Sequence, residues 1–232
     1  MHGLGPSQAR ALDCSTKQRV SLTQGPPGTG KTRTAVALVD AVRSKTDARI
    51  LIASATNDGV DNIAASCVDK GLNIGRVGTA DSVSTQFKAQ IAERCYFSNV
   101  EKDMANEHCG NSSWKKVRRE RLKKLWDQTQ IFCATNGKAA EPPVVEAYNH
   151  DLVLLEESCM AIEPMSLIPV NQCRADGATA HFGDPQQLPP ACNSVWAAKN
   201  GLNISLMESL QEVPGIEFCL LDQQHRMHPE IR

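Results

Sequence analysis

The residues with the plainest chemistry lie between Gln24 and Thr34, QGPPGTGKTRT, where Gly25, Gly28, Gly30, Lys31 and Thr32 fall in the pattern G-x-x-x-x-G-K-T. Glycines let main-chain N–H groups turn inward and approach a phosphate closely, and a helix opening at Lys31 aims its positive end at the same point. A lysine there reaches the outer phosphates of a nucleoside triphosphate, and the next hydroxyl, Thr32, is suited to ligate Mg²⁺. The flanks agree: the apolar run from Val20 to Leu22 leads in, and Ala35 to Val42 continue at helical spacing. The expected nucleotide-binding set of this loop is Gly25, Pro27, Gly28, Thr29, Gly30, Lys31, Thr32 and Arg33.

Such a loop works with a carboxylate at the end of a neighbouring strand that holds the metal, and often with a second that polarises the attacking water. DLVLLEES supplies both, because Leu152 to Leu155 reads as a buried parallel strand and Glu156 and Glu157 follow it directly. Glu156 is the candidate metal carboxylate and Glu157 the candidate base; the competing reading is an exposed acidic pair at a strand end. In HFGDPQQLPP, Gln187 is a neutral donor and acceptor suited to sensing a γ-phosphate, against an ordinary turn, since Gly-Asp-Pro is common in turns. Arg226, in QQHRMHPEI, offers a planar multi-donor cation past the last strand, or else a surface arginine.

These residues need a frame, and the pattern predicts a parallel α/β one. Strand signals fall at Arg19–Thr23, Arg49–Ser54, Ile74–Val77, Ile131–Ala134, Leu152–Leu155, Thr179–Phe182 and Glu217–Leu221. Helices are predicted over Gln8–Asp13, from Lys31 to about Ser44, over Asn57–Asp69, and from a cap at Asn203 through Gln211. The βαβα alternation implies a parallel sheet with right-handed crossovers. Residues 81–127 depart from it: polar, charged and helical in propensity, they read as a helical insertion within one domain.

Composition narrows the class of protein. A chain of 232 residues with 25 Lys+Arg against 26 Asp+Glu has a net charge of −1, so any nucleic-acid surface must be local. Nine dispersed cysteines, with no C-x-x-C pair, read as reduced thiols. No leader or membrane-spanning stretch is legible, which points to an intracellular chain, cytoplasmic or nuclear, with no membrane partner.

Taken in order, these blocks resemble superfamily 1 helicases of the 5′-3′ branch that includes the nonsense-mediated mRNA decay helicase and its DNA-directed relatives. LGPSQARAL is similar to that family's adenine-reading motif, which implies Gln8 as a base contact. QGPPGTGKT resembles motif I, DLVLLEESCMAIEP motif II, GDPQQLPP motif III and LDQQHRMHP motif IV. ILIASATNDGVDNIA and IFCATNGKA resemble motifs Ia and Ic, implying single-strand contacts at Asn57, Val60 and Thr135. The resemblance implies a P-loop NTPase of RecA-like fold spanning residues 1–232, ATP and Mg²⁺ as cofactors, and single-stranded RNA or DNA as partner.

Departures from the family pattern bear on rate. Motif II reads Glu156-Glu157-Ser158 where the family has Asp-Glu-Ala, so an extra methylene lengthens the reach towards the metal. The family's first RecA-like domain ends near Arg232, so the resemblance implies that the second domain, with its arginine finger, is missing. Such a finger contributes ~10³ to 10⁵ in rate. ATP binding with slow turnover is therefore expected of this chain alone. A non-catalytic ATP- and nucleic-acid-binding module is the alternative.

The insertion carries WKKVRRERLKKLW, Trp114 to Trp126, with seven Lys/Arg. In the family this insertion lies beside the nucleic-acid channel, which implies phosphate contacts from Lys115, Arg118 and Arg119. A solvated helix docked by its tryptophans remains the other reading.

Overall fold

The computed structural model describes residues 3–78, 82–83, 129–141 and 149–225. Seven parallel strands form one sheet: β1 (Val20–Gln24), β2 (Ile50–Ser54), β3 (Ile74–Arg76), β4 (Ile131–Thr135), β5 (His150–Glu156), β6 (Cys173–Gly183) and β7 (Glu217–Leu220). Their order is β3-β4-β2-β5-β6-β1-β7, and every pairing is parallel. The described helices are α1 (Pro6–Lys17), α2 (Lys31–Arg43), α3 (Asn57–Asp69), α4 (Glu163–Val170), α5 (Val195–Lys199) and α6 (Leu206–Gln211). This is the parallel α/β arrangement that the alternating pattern predicts, and it agrees with the RecA-like fold that the motif resemblance implies.

Strand periodicity sorts the core into two layers, because successive side chains point to opposite faces. Ile50, Ile52, Leu152 and Leu154 face one way and meet Val36, Val39, Val60 and Ile63 of α2 and α3. Leu51, Val153 and Leu155 face the other way and are covered by Ile168 and Val170 of α4. Both faces are therefore apolar, which is why β2 and β5 read as nearly continuous apolar runs.

The structure corrects several boundaries. α1 runs to Lys17 instead of Asp13, and its extension buries Cys14 and Ser15, with Ser21 Oγ donating to Ser15 Oγ at 3.0 Å. α6 is capped by Ser205, not Asn203: the Ser205 N–H donates to Glu208 Oε2 (2.9 Å) and the Glu208 N–H donates back to Ser205 Oγ (3.3 Å). β6 begins at Cys173, six residues before the predicted Thr179, and a register shift opposite His150 and Leu152 accommodates the addition. α4, EPMSLIPV, is not predicted by the sequence pattern, because Pro169 lies inside a helix of only eight residues; Pro164, in the first turn, is compatible with a helix start. Burial of its Ile168 and Val170 against the second layer supplies what propensity withholds.

The predicted insertion apart from 82–83, its basic helix with Lys115, Arg118 and Arg119, and Arg226 lie outside the described residues.

Candidate nucleotide site

Register brings the candidate residues to one edge. Gln24 pairs with Gly183, and Ser54 pairs with both Glu156 and Thr135, so the loops after β1, β2, β4, β5 and β6 all leave from the carboxyl edge of the sheet. In open α/β sheets this edge is where ligands bind.

The loop after β1 is built from glycines used for two reasons. Gly28 and Gly30 sit at φ 80° and 83°, left-handed backbone that other residues resist. At Gly25 a Cβ would lie 2.6 Å from Thr29 Oγ1 and 2.7 Å from Lys31 Cγ, so the chain there has no room for a side chain. The loop is closed by the Thr29 hydroxyl donating to the Pro26 carbonyl (2.7 Å) and by the Gly25 N–H donating to the Gly183 carbonyl (3.0 Å). The Lys31 ammonium folds back to donate to the Gly25 carbonyl, across the mouth of the loop. Gly30 is the N-cap of α2 and gives it no side-chain cap, leaving the helix start open to an anion.

Gln8 is buried and braces this loop. Its Oε1 accepts from the Gly5 N–H (3.0 Å), and its Nε2 donates to the Thr29 carbonyl (2.9 Å). Arg33 is exposed and donates to the Gly3 carbonyl, while Pro27 is exposed at the loop tip.

Thr32 and Glu156 meet across the sheet. The Thr32 hydroxyl donates to Glu156 Oε1 at 2.6 Å. Burial pushes the Glu156 carboxyl up to about 7, assisted by the neighbouring Glu157 charge and opposed by the Thr32 hydrogen bond and by Lys31. Its second oxygen, Oε2, is buried and has no hydrogen-bond partner among the described residues. Two hard oxygen donors in contact, one belonging to a carboxylate with an unused oxygen, fit a small divalent cation such as Mg²⁺.

Glu157 departs from ordinary backbone, with φ 53° and ψ 41° at a non-glycine residue. Such a conformation costs of order 1 kcal/mol and clusters at functional sites. It turns the carboxylate towards the start of α3, where a Cβ on Gly59 would come within 3.1 Å of Glu157 Oε2. Gln187 is exposed, and its Nε2 donates to Asp184 Oδ2 at 2.8 Å.

Asp184 is a residue that the chemical reading of the sequence passed over. Buried at 5% exposure, its carboxylate also accepts from Gln24 Nε2 (3.0 Å) and the Gln186 N–H (3.2 Å), tying the end of β1 to the Gln187 loop. The signal was present in Gly183-Asp184-Pro185, since Asp readily bonds the backbone two residues on. Below it, Ser158 Oγ lies 3.3 Å from His181 Nδ1 in the buried interior, joining the turn after β5 to β6.

The expected strand contacts divide. Asn57 is exposed at the first turn of α3, and Thr135 is half-buried at the end of β4. Val60 has no exposure, and its N–H is spent on the Thr56 carbonyl (3.1 Å). It is a core residue and not a strand contact, because the helical period that places Asn57 outward turns Val60 inward.

A family profile described as "AAA domain" matches residues 3–109 and 93–195. The chain belongs to this AAA domain family. Among similar proteins, the ATP-dependent helicase NAM7 of Saccharomyces cerevisiae is 30% identical over 98% of this chain and 24% of its own length. DNA-binding protein SMUBP-2 of Mesocricetus auratus is also 30% identical, over 98% of this chain and 26% of its own. A regulator of nonsense transcripts 1 homolog of Arabidopsis thaliana is 27% identical over 98% of this chain and 19% of its own.

The superfamily 1 helicase resemblance read from the motifs thus holds across these relatives, one of them an ATP-dependent helicase, and with it nucleotide use by this AAA domain. The chain spans between 19% and 26% of the length of these relatives. Among the described residues no helix is long and apolar enough to cross a membrane.

Proposed function

We propose that this chain is the ATP-binding, first RecA-like domain of an ATP-dependent helicase, with residues 81–127 as a helical insertion. The observation that carries the reading is the meeting of Thr32 with Glu156 beside an uncapped helix start. A glycine-rich turn of purely structural use has no reason to bring a buried carboxylate to its own hydroxyl.

In this reading the backbone of Gly28–Thr32 binds the phosphates, Lys31 moves from the Gly25 carbonyl to the outer phosphates, and Gln8 serves the adenine side by bracing the loop. Thr32 and Glu156 would hold Mg²⁺, which supplies charge neutralisation on the phosphates when bound. Glu157 accepts a proton from the attacking water, held in place by its left-handed turn. Gln187 and Arg226 sense the γ-phosphate, with Asp184 orienting the Gln187 carboxamide. Single-stranded RNA or DNA lies over Asn57 and Thr135, joined by Lys115, Arg118 and Arg119. A second RecA-like domain is the partner that turns hydrolysis into movement along the strand.

The test is ATP binding and turnover by the purified chain, with and without Mg²⁺ and single strand, beside Lys31→Ala. Binding that Lys31→Ala weakens by about tenfold or more supports the reading. Equal affinity in both proteins, or none in the wild type, overturns it.

A further inference from the structure

We propose that Arg76 is a positioning residue that locks the Asn57 carboxamide as an outward hydrogen-bond donor, so that the start of α3 takes a phosphodiester oxygen of a single strand. The proposal rests on the nucleic-acid part of the function proposed above and specifies its chemistry.

Arg76 closes β3 with a side chain that has no exposure, heading the largest fully buried side chains of the described residues. A buried guanidinium is retained only when paired, and here its donors are shared among three acceptors. Nε donates to Asp61 Oδ1 at 2.8 Å, Nη1 to the Val77 carbonyl, and Nη2 to Asn57 Oδ1 at 2.9 Å. Asp61 is itself fully buried, so the cation is neutralised inside the protein. The network therefore directs a side chain and adds no attraction of its own for a polyanion.

The direction follows from what a guanidinium can do. It carries only donors, so the Asn57 amide must present its oxygen inward, and the usual ambiguity between amide oxygen and nitrogen is decided by chemistry. The Nδ2 donors are left to the exposed side of the first turn of α3. A group that can only donate outward matches an acceptor, and the acceptor that RNA and DNA of any sequence share is the phosphate oxygen. Base amino groups are donors themselves and are refused. Thr56 caps α3 by accepting from the Gly59 N–H at 3.0 Å, which takes one of the first-turn N–H groups out of competition for that oxygen.

Asn57→Asp tests this with the fold intact, because a carboxylate accepts from Arg76 as the amide oxygen does but offers a negative acceptor outward. Fluorescence anisotropy of the chain with labelled oligo(U) and oligo(dT) is read beside ATP affinity and thermal unfolding. Asn57→Asp is expected to weaken both oligonucleotides by about tenfold or more, Asn57→Ala by less, with ATP affinity unchanged. Arg76→Lys, which keeps the charge but not the three-way fork, is expected to weaken strand binding more than ATP binding.

Strand affinity unchanged in Asn57→Asp, or Asn57→Ala weaker than Asn57→Asp, overturns the inference and leaves the proposed function standing. So does Arg76→Lys with lowered stability but wild-type strand affinity. A wild type that binds neither oligonucleotide overturns the nucleic-acid reading and this inference together.

Discussion

Two strand-to-helix connections leave the same edge of the sheet and do opposite things with the helix start. After β1 the chain enters α2 through Gly30, in left-handed backbone and without a side-chain cap. After β2 it enters α3 through Thr56, in extended backbone, with its hydroxyl on the Gly59 N–H. A helix start exposes N–H groups that must find an acceptor. The first connection gives them no side-chain cap, and the second satisfies one of them from within. The capped helix can then present a side chain, Asn57, held from below by Arg76. One geometry leaves main-chain donors exposed at the helix start, and the other offers a single aimed amide.

Acid tests the frame that both connections share. Burial lowers the histidines His150, at the opposite edge of the sheet, and His181, beneath the site, to about 4 each. Unfolded rings take up protons near 6.5, folded rings only near 4, so stability is full above pH 6.5 and is lost as pH falls towards 4. The expected loss is up to about 3 kcal/mol per ring, visible as a falling urea midpoint across that window. His150→Phe should flatten the fall; an unchanged slope in that variant would remove this ring from the account.

Closing the open helix start comes next. In Gly30→Ala the new Cβ meets Gln8 Nε2 in backbone at φ 83°. ATP affinity is expected to drop by about a hundredfold, the combined effect of left-handed strain and a displaced loop, by titration with a fluorescent nucleotide. Wild-type affinity in this variant would mean that the loop reshapes freely and that its left-handed geometry is not what holds phosphate.

Opening the closed one should do less. Thr56→Ala removes the cap of α3 and is expected to cost about 1 kcal/mol in denaturant unfolding, with ATP affinity unchanged. Gained phosphate affinity would show that the cap alone separates the two connections. The smallest effect is expected of Gly59→Ala, whose Cβ meets Ser54 Oγ and lies 3.1 Å from Glu157 Oε2. Turnover should fall by about threefold through displacement of Glu157 while ATP affinity holds, by steady-state phosphate release. Equal turnover would separate Glu157 from the start of α3.

What the sequence determined by itself is local. The glycine pattern with Lys31 and Thr32, the seven apolar strand runs, α3 over Asn57–Asp69 and the Glu156-Glu157 pair are all set by residue type within a few positions. Steric limits on backbone and a period of two or of 3.6 act over that range. Tertiary structure decided the rest. α4 forms despite an internal proline, Pro169, because a bare sheet face had to be covered. Asp184 became a hub only when β1 and β6 lay side by side, bringing Gln24 to it. Arg76 sits 15 residues from Asp61 and 19 from Asn57, and nothing in an isolated arginine after an apolar pair says which way it points. Its direction comes from burial: once folding removes water from a guanidinium, each donor must find an acceptor, and only the packed chain says which ones are in reach.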